Sequence, residues 1–126
     1  MIPSKHIVKI DENSYPVTFP NVGQMMDIES MKYALTGNRY KEMALSTVRS
    51  TLYVLDLVDA IATFSVMIPD LIKDLTINNL LDMNPLESKK IVSAHKKYYK
   101  EFYKPLLDAA LSEEEEELKS NLDDQE

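Results

Sequence analysis

The stretch RYKEMALSTVRSTLYVLDLVDAIATFSVMI, residues 39–68, is the longest run of this chain without Gly or Pro. Apolar side chains recur along it in steps of three and four, which predicts one long helix that ends before Pro69. Two apolar stripes cover more than half of its circumference: Leu45, Val48, Leu52, Leu55, Ala62 and Val66, and Val54, Val58, Ile61 and Ile68. Other elements must pack against such a helix on several sides, and they can belong to the rest of a small bundle or to another subunit.

Upstream of this helix, residues 6–19 predict a β-hairpin. Residues 6–10 are rich in β-branched side chains, residues 15–19 alternate in polarity, and the polar residues 11–14 form the turn between them. Pro16 has no N–H to donate, which favours an edge position for its strand. A lone hairpin is marginally stable in water, so we expect it to lie on the helices or to pair with a strand of another chain.

Further helices are predicted on both sides of the long one. The first spans residues 24–35, where Gly37 suits the left-handed position after its end and Asn38 is the predicted N-cap of the long helix. After the long helix, residues 70–82 hold apolar residues at helical spacing.

The last predicted helix spans residues 85–103. Asn84 can cap it and Pro85 suits its first position, while Pro105 is expected to kink or end it.

These elements predict a mainly α fold, a small helical bundle with an N-terminal β-hairpin. The helices 39–68 and 85–103 are expected to pack antiparallel, with 24–35 and 70–82 closing the core. Residues 1–111 would form one domain, because a chain of 126 residues is typical of a single domain.

The net charge of −7 belongs to the C-terminus. Residues 112–126 hold eight carboxylates against the single cation Lys119, so the remaining chain is electrically balanced. We expect these residues to form a solvated acidic tail. No signal peptide is evident at the N-terminus, and Asp56 and Asp59 argue against a membrane span of the long helix.

Catalytic chemistry is not evident in the sequence. The chain has no Cys, and its two histidines, His6 and His95, stand outside any metal-binding spacing. Asp56 and Asp59 share a helix face and could ligate a metal or act as acid and base, although bonding to Thr63 or Arg49 is the commoner arrangement. We therefore expect no enzyme activity, no metal and no cofactor.

Within residues 6–40, the segment IVKIDENSYPVTFPNVGQMMDIESMKYALTGNRY resembles the start of small morphogenesis proteins of tailed bacteriophages, of the tail-assembly-chaperone or accessory virion type. The shared pattern is a short hairpin, then a helix that carries QMMDIE, then a mostly helical body. The resemblance covers about the first third of the chain and carries over no functional residues. It implies a non-enzymatic phage assembly or virion structural protein that contacts other protein subunits, in the virion or the host cytoplasm.

Two surfaces could carry such contacts. The predicted partner-binding residues lie on the hairpin and the long helix: Tyr15, Val17, Phe19, Leu52, Leu55 and Ile61. Partners would be phage structural proteins or further copies of this chain, with no membrane involved.

The second surface is basic and aromatic, and comprises Lys89, Lys96, Lys97, Tyr99, Lys100 and Tyr103. Lysines and stacking rings together are typical of single-stranded nucleic acid binding, although the same spacing also suits a core stripe with solvated sides. The alternative function is therefore a nucleic-acid-associated regulator with an autoinhibitory acidic tail.

Overall fold

The computed structural model describes residues 5–75, 79 and 82–112, and this part of the chain is mainly α-helical with one N-terminal hairpin, as predicted. The elements are β1 Lys5–Ile10, β2 Asn13–Thr18, α1 Val22–Thr36, α2 Tyr40–Ala44, α3 Arg49–Met67, α4 Pro69–Asp74, α5 Pro85–Tyr98 and a π-helical turn Tyr99–Tyr103. Helical geometry then resumes over 104–112. The predicted acidic tail from residue 113 onward and most of 76–81 lie outside the described residues.

The hairpin pairs β1 with β2 in an antiparallel register that sets Val8 opposite Tyr15. Its turn is shorter than the sequence suggested, because Asn13 is already paired with Ile10. Asp11 supplies the positive φ of 56° that the tight turn needs, a conformation that Asp tolerates better than most residues. One face of the hairpin is buried, and it consists of Val8, Ile10, Tyr15 and Val17.

Helix α1 has both of its ends satisfied by local side chains or backbone. Asn21 and Gln24 form a capping box at its start, with the Asn21 side chain accepting the Gln24 N–H at 2.8 Å. Gly37 adopts the predicted left-handed conformation at its end, with φ 60°. Asn38 is left-handed as well, so it does not cap the next helix as predicted; Arg39 takes that place.

The predicted single helix 39–68 is wrong, because the chain breaks between α2 and α3. The Val48 N–H donates to the Ser46 hydroxyl at 3.1 Å instead of continuing a helical ladder. Ser and Thr side chains compete in this way with helical hydrogen bonds, and Thr47 and Val48 also add β-branching. Val48 is extended and becomes the N-cap of α3.

The core is built around the second half of α3. Val58, Ala60, Ala62 and Phe64 are fully buried there. The hairpin, α4 and α5 supply the other core side chains, which include Val8, Val17, Leu71, Ile91, Tyr98 and Phe102. A hydrogen bond of 2.7 Å from the Tyr15 hydroxyl to Asp74 joins the hairpin to α4.

Helices α3 and α5 do not pack antiparallel as predicted. Tyr53, near the start of α3, bonds Ser88 and the Pro85 carbonyl near the start of α5. Phe64, near the end of α3, contacts His95 and Tyr98 toward the end of α5. The two helices therefore run in the same general direction. Helix α4 follows directly on the end of α3, whereas α5 begins with Pro85 near the start of α3.

The last helix passes Pro105 rather than ending there. Asn84 caps its start as predicted, accepting the Leu86 N–H at 2.8 Å, and Pro85 occupies the first turn. The π-helical turn directly precedes Pro105, with the Lys104 N–H bonded to the Tyr99 carbonyl. A Pro ring clashes with a carbonyl one turn back in a regular α-helix, and the wider turn relieves this clash.

A matched pair of leucine substitutions tests this core. Leu71 is fully buried, so Leu71→Ala should lower the free energy of unfolding by about 2–5 kcal/mol. Leu86 is 83% exposed, so Leu86→Ala should change it by less than about 0.5 kcal/mol. Urea denaturation measures both values, and equal effects would contradict the described packing.

Candidate functional site

A cleft of 310 Å³ lies between α1, α3 and the C-terminal part of α5 with its π-helical turn. This volume is at the lower end of the range of about 300–1,000 Å³ that is typical of small-molecule sites. The lining residues are Met25, Ile28, Glu29, Lys32, Asp59, Thr63, His95, Tyr98, Tyr99 and Tyr103. A shallower depression beside it shares Asp59, His95 and Tyr99 and adds Asp56 and Lys96.

A polar network closes one side of the cleft. Asp59 accepts a hydrogen bond of 2.6 Å from the Tyr40 hydroxyl and lies 3.8 Å from the Lys32 ammonium. Lys32 also pairs with Glu29 at 2.9 Å and lies over the Tyr40 ring, 5.4 Å from its centroid. Burial raises the pKa of the Asp59 carboxyl, while the bond from Tyr40 and the charge of Lys32 oppose that rise. The network thus holds a partly buried carboxylate with its own cation.

His95 forms part of the cleft and is held by aromatic rings. Its ring meets Phe64 edge-on at 5.7 Å and lies 6.1 Å from the Tyr98 ring. Burial lowers the pKa of His95 to about 4, and the positive charge of Lys32 lowers it further, against the opposing effect of Asp56. The imidazole is therefore neutral at pH 7 and offers one donor and one acceptor.

Three tyrosines border the cleft along the last helix. Tyr99 and Tyr103 stack on each other at 5.7 Å with an interplanar angle of 26°. Tyr98 is only 1% exposed, and its hydroxyl has no hydrogen-bond partner among the described residues. Burial raises the pKa of Tyr98, so the phenol keeps its proton at neutral pH. An unpaired buried hydroxyl is costly, typically by about 1–3 kcal/mol.

This arrangement is suited to binding. It combines aromatic and aliphatic walls with hydrogen-bonding groups that are neutral, namely the Tyr98 phenol, the His95 imidazole and the Thr63 hydroxyl.

Between residues 5 and 112, excluding 76–78, 80 and 81, no three His, Cys, Asp or Glu side chains gather closely enough to hold a metal ion. Asp56 and Asp59 instead pair separately, with Lys96 and with Tyr40 and Lys32.

The structure corrects most of the predicted partner-binding residues. Tyr15, Val17, Leu55 and Ile61 are buried inside the chain's own core, so their side chains are not available to a partner. Phe19 is half-buried and stacks on Tyr103 at 5.3 Å. The buried apolar residues in the second half of α3 face other elements of the same chain, and the helical spacing of apolar residues alone could not identify which elements cover them.

Leu52 does remain on the surface, with 41% of its area exposed. Leu45 and Val48, which precede it in the chain, are also exposed, at 77% and 56%. We name these three residues the apolar strip. It lies where α2 ends and α3 begins.

The predicted basic-aromatic surface is partly assembled. Lys89, Lys96, Lys97 and Lys100 are exposed, Tyr99 is 44% exposed and Tyr103 is half-buried. Lys96 pairs with Asp56 at 3.4 Å. The two tyrosines face the cleft, and the lysines lie beside them on the same helix.

The cleft network was not predicted from the sequence. Its residues come from α1, α2, α3 and α5, and no local sequence pattern indicates that these four helices meet. One signal was present, because Asp59 interrupts an apolar stripe of the long helix. A carboxylate at such a position needs a partner from another element, and the structure supplies Tyr40 and Lys32.

No protein-family model, no curated protein and no solved structure matches this chain.

Helix α3 is long and apolar enough to cross a membrane by length and composition, with a mean hydropathy of 1.4. Nearly half of that window, 44%, is buried within the chain, and core helices of folded proteins meet the same criterion.

The neutral His95 predicts a pH dependence of stability. Its folded pKa of about 4 lies below the ordinary value of 6.5, so stability is greatest above pH 6.5 and falls as the pH drops toward 4. The free energy of unfolding should decrease by about 1–2 kcal/mol between pH 7 and pH 5. Denaturation at a series of pH values measures this decrease.

His95→Phe is the matched control, because it keeps a ring against Phe64 and removes the titration. Burial also lowers the pKa of His6, so a smaller decrease of the same sign should remain in this variant. An undiminished decrease in His95→Phe would show that His95 is not the group responsible.

Proposed function

We propose that this protein is a non-enzymatic assembly protein that acts through contacts with other protein subunits. The phage morphogenesis proteins that its first third resembles suggest the setting, a tailed-phage virion or the host cytoplasm during its assembly. The apolar strip of Leu45, Val48 and Leu52 is the observation that carries this proposal. These aliphatic side chains are exposed at the junction of α2 and α3, while most of the second half of α3 is engaged in the core.

A second copy of this chain is the proposed first occupant of the apolar strip. Arg49 and Asp56 stand on either side of Leu52, three and four residues away, and both are accessible. In an antiparallel pairing of two α3 helices around Leu52, Arg49 of each copy would lie near Asp56 of the other. A two-fold interface of this kind is self-complementary, because the same patch serves both partners.

The solution mass of variants tests this role. Leu45→Gln combined with Leu52→Gln should convert a dimer to monomer at micromolar concentration, because two exposed aliphatic anchors are lost. Light scattering at several protein concentrations measures the change. The matched control is Val22→Gln combined with Met26→Gln, which alters another exposed apolar pair, on α1, and should leave the dimer intact.

A wild-type protein that is monomeric at all concentrations would exclude the self-pairing. The strip would then serve a different protein, and loss of capture of a phage structural protein by the same double variant would be the supporting result. Dissociation by the α1 control would instead assign the interface to α1.

A second candidate function is a nucleic-acid-associated regulator. The stacked pair Tyr99 and Tyr103 beside the exposed Lys97 and Lys100 favours it, since rings can stack on bases while lysines neutralise phosphates. In this candidate, the acidic tail of residues 112–126 would compete with nucleic acid for the lysines.

Removal of residues 112–126 tests the second candidate. The truncated chain should bind single-stranded DNA at least tenfold more tightly than the full chain at low salt, because the competing carboxylates are gone. Fluorescence anisotropy measures the affinity, which should fall steeply as salt is added. Lys97→Gln combined with Lys100→Gln should abolish the gain, and equal affinities of the two chains would rule out an autoinhibitory tail.

A further inference from the structure

We propose that the cleft between α1, α3 and the π-helical turn binds an uncharged planar heteroaromatic ring of the nucleobase type. This inference is independent of the assembly role. It rests on the shape of the cleft, on the chemistry of its lining and on the unpaired hydroxyl of Tyr98.

The walls of the cleft favour a flat ring. Tyr99 and Tyr103 present a stacked aromatic pair on one side, and Met25 and Ile28 of α1 present aliphatic and thioether surface on the other. Aromatic rings stack on heteroaromatic bases without requiring a particular sequence of bases. A methionine side chain adapts to the shape of such a ring and makes favourable contacts with it.

The polar lining favours a ring that carries hydrogen-bonding atoms at its edge. The Tyr98 phenol stays protonated and lacks an acceptor among the residues that the structure describes. The neutral His95 offers one donor and one acceptor, and Thr63 adds a hydroxyl. Nucleobases present donors and acceptors side by side at one edge, so a base would find partners in Thr63 on α3 and His95 on α5. The Tyr98 hydroxyl is inaccessible to solvent, so it would join them when its ring turns toward the cleft.

The charge of the lining disfavours an ionic ligand. Glu29, Lys32 and Asp59 are the charged lining groups, and each already has a partner of opposite charge. A phosphate within the cleft would face two carboxylates, and an ammonium would compete with Lys32 for Asp59. An uncharged ring leaves these pairs intact.

The π-helical turn places the tyrosines for this purpose. A π turn rotates the following residues relative to a regular α-helix, and such turns are frequent at functional sites. Here it spans Tyr99–Tyr103 and sets the rings at its two ends against each other. The turn therefore contributes the aromatic wall as well as relieving the clash at Pro105.

The base could come from a free nucleoside or from an unpaired residue of a strand. In the second case the phosphates would lie outside the cleft, where Lys96 and Lys100 precede Tyr99 and Tyr103 by three residues each. Free ribonucleosides and a short single-stranded oligonucleotide distinguish the two sources.

Titration of the full chain with nucleosides is the test. Adenosine, guanosine, cytidine and uridine are added singly, and calorimetry with NMR chemical shifts follows the binding. We expect at least one of them to bind at millimolar or lower concentration and to shift signals of Tyr99, Tyr103 and His95. Tighter binding of the oligonucleotide than of any nucleoside would assign the site to a strand, and equal or weaker binding would assign it to the free nucleoside.

Two substitutions test the roles of the lining, each with a control outside the cleft. Tyr98→Phe removes the unpaired hydroxyl and should weaken binding about fivefold or more while raising the melting temperature. Its control, Tyr15→Phe, breaks the bond to Asp74 and should lower the melting temperature without changing affinity. Tyr99→Leu removes the stacking wall and should weaken binding about tenfold, whereas Tyr33→Leu, a substitution at another partly exposed tyrosine, should not.

Three results would overturn the inference. The first is no binding of any nucleoside or oligonucleotide at millimolar concentration. The second is tighter binding of phenethylamine than of the nucleosides, which would assign the cleft to an aromatic ammonium. The third is equal affinity of the wild type, Tyr98→Phe and Tyr99→Leu, which would place the bound base elsewhere. The assembly proposal stands or fails separately, because its test concerns the apolar strip alone.

Discussion

The burial of the second half of α3 is the interaction on which the rest of the structure depends. Phe64 is inaccessible to solvent, and it packs in one core cluster with side chains from the hairpin, α4 and α5. A two-stranded hairpin is marginal by itself, so its stability comes from laying Val8 and Val17 on this helix and on α5. Hydrophobic burial of this kind, at about 25 cal/mol per Å² of apolar surface, is what offsets the entropy of ordering the chain.

The same helix also creates the cleft. Asp59 lies within its apolar stripe, and a lone carboxylate there would be costly. Tyr40 and Lys32 satisfy it from two other helices, so α1 and α2 are drawn to that side of α3. The space between α1 and α5 is lined by Lys32 and Asp59, by His95 and by the tyrosines of the last helix. The partly buried Asp59 that these partners satisfy is thus also one of the residues that line the candidate site.

The break between α2 and α3 has a comparable consequence. Had residues 39–68 formed one helix, Leu45 and Val48 would have continued the stripe that Leu55 buries. Instead Ser46 turns the chain, and the apolar strip is left on the surface next to a well-packed core. Rigid surroundings favour recognition, because little side-chain entropy is lost when a partner covers residues that are already held in place.

Local chemistry in the sequence determined the secondary structure of this protein to a large extent. Alternating polarity and β-branched residues predicted the hairpin. Gly37 predicted the end of one helix and Asn84 the start of another, and the helical spacing of apolar residues predicted the core helix. Each of these signals depends on residues close together in the chain. The break at Ser46 and the π-helical turn before Pro105 escaped prediction, since each depends on how one side chain or one wider turn competes with a regular helix.

Tertiary structure alone decided the direction of α5 against α3, the meeting of Lys32, Tyr40 and Asp59, and which apolar residues remain exposed. The physical reason is that a periodic pattern tells which face of an element is apolar, whereas the neighbour that covers this face is chosen by contacts between residues far apart in the chain.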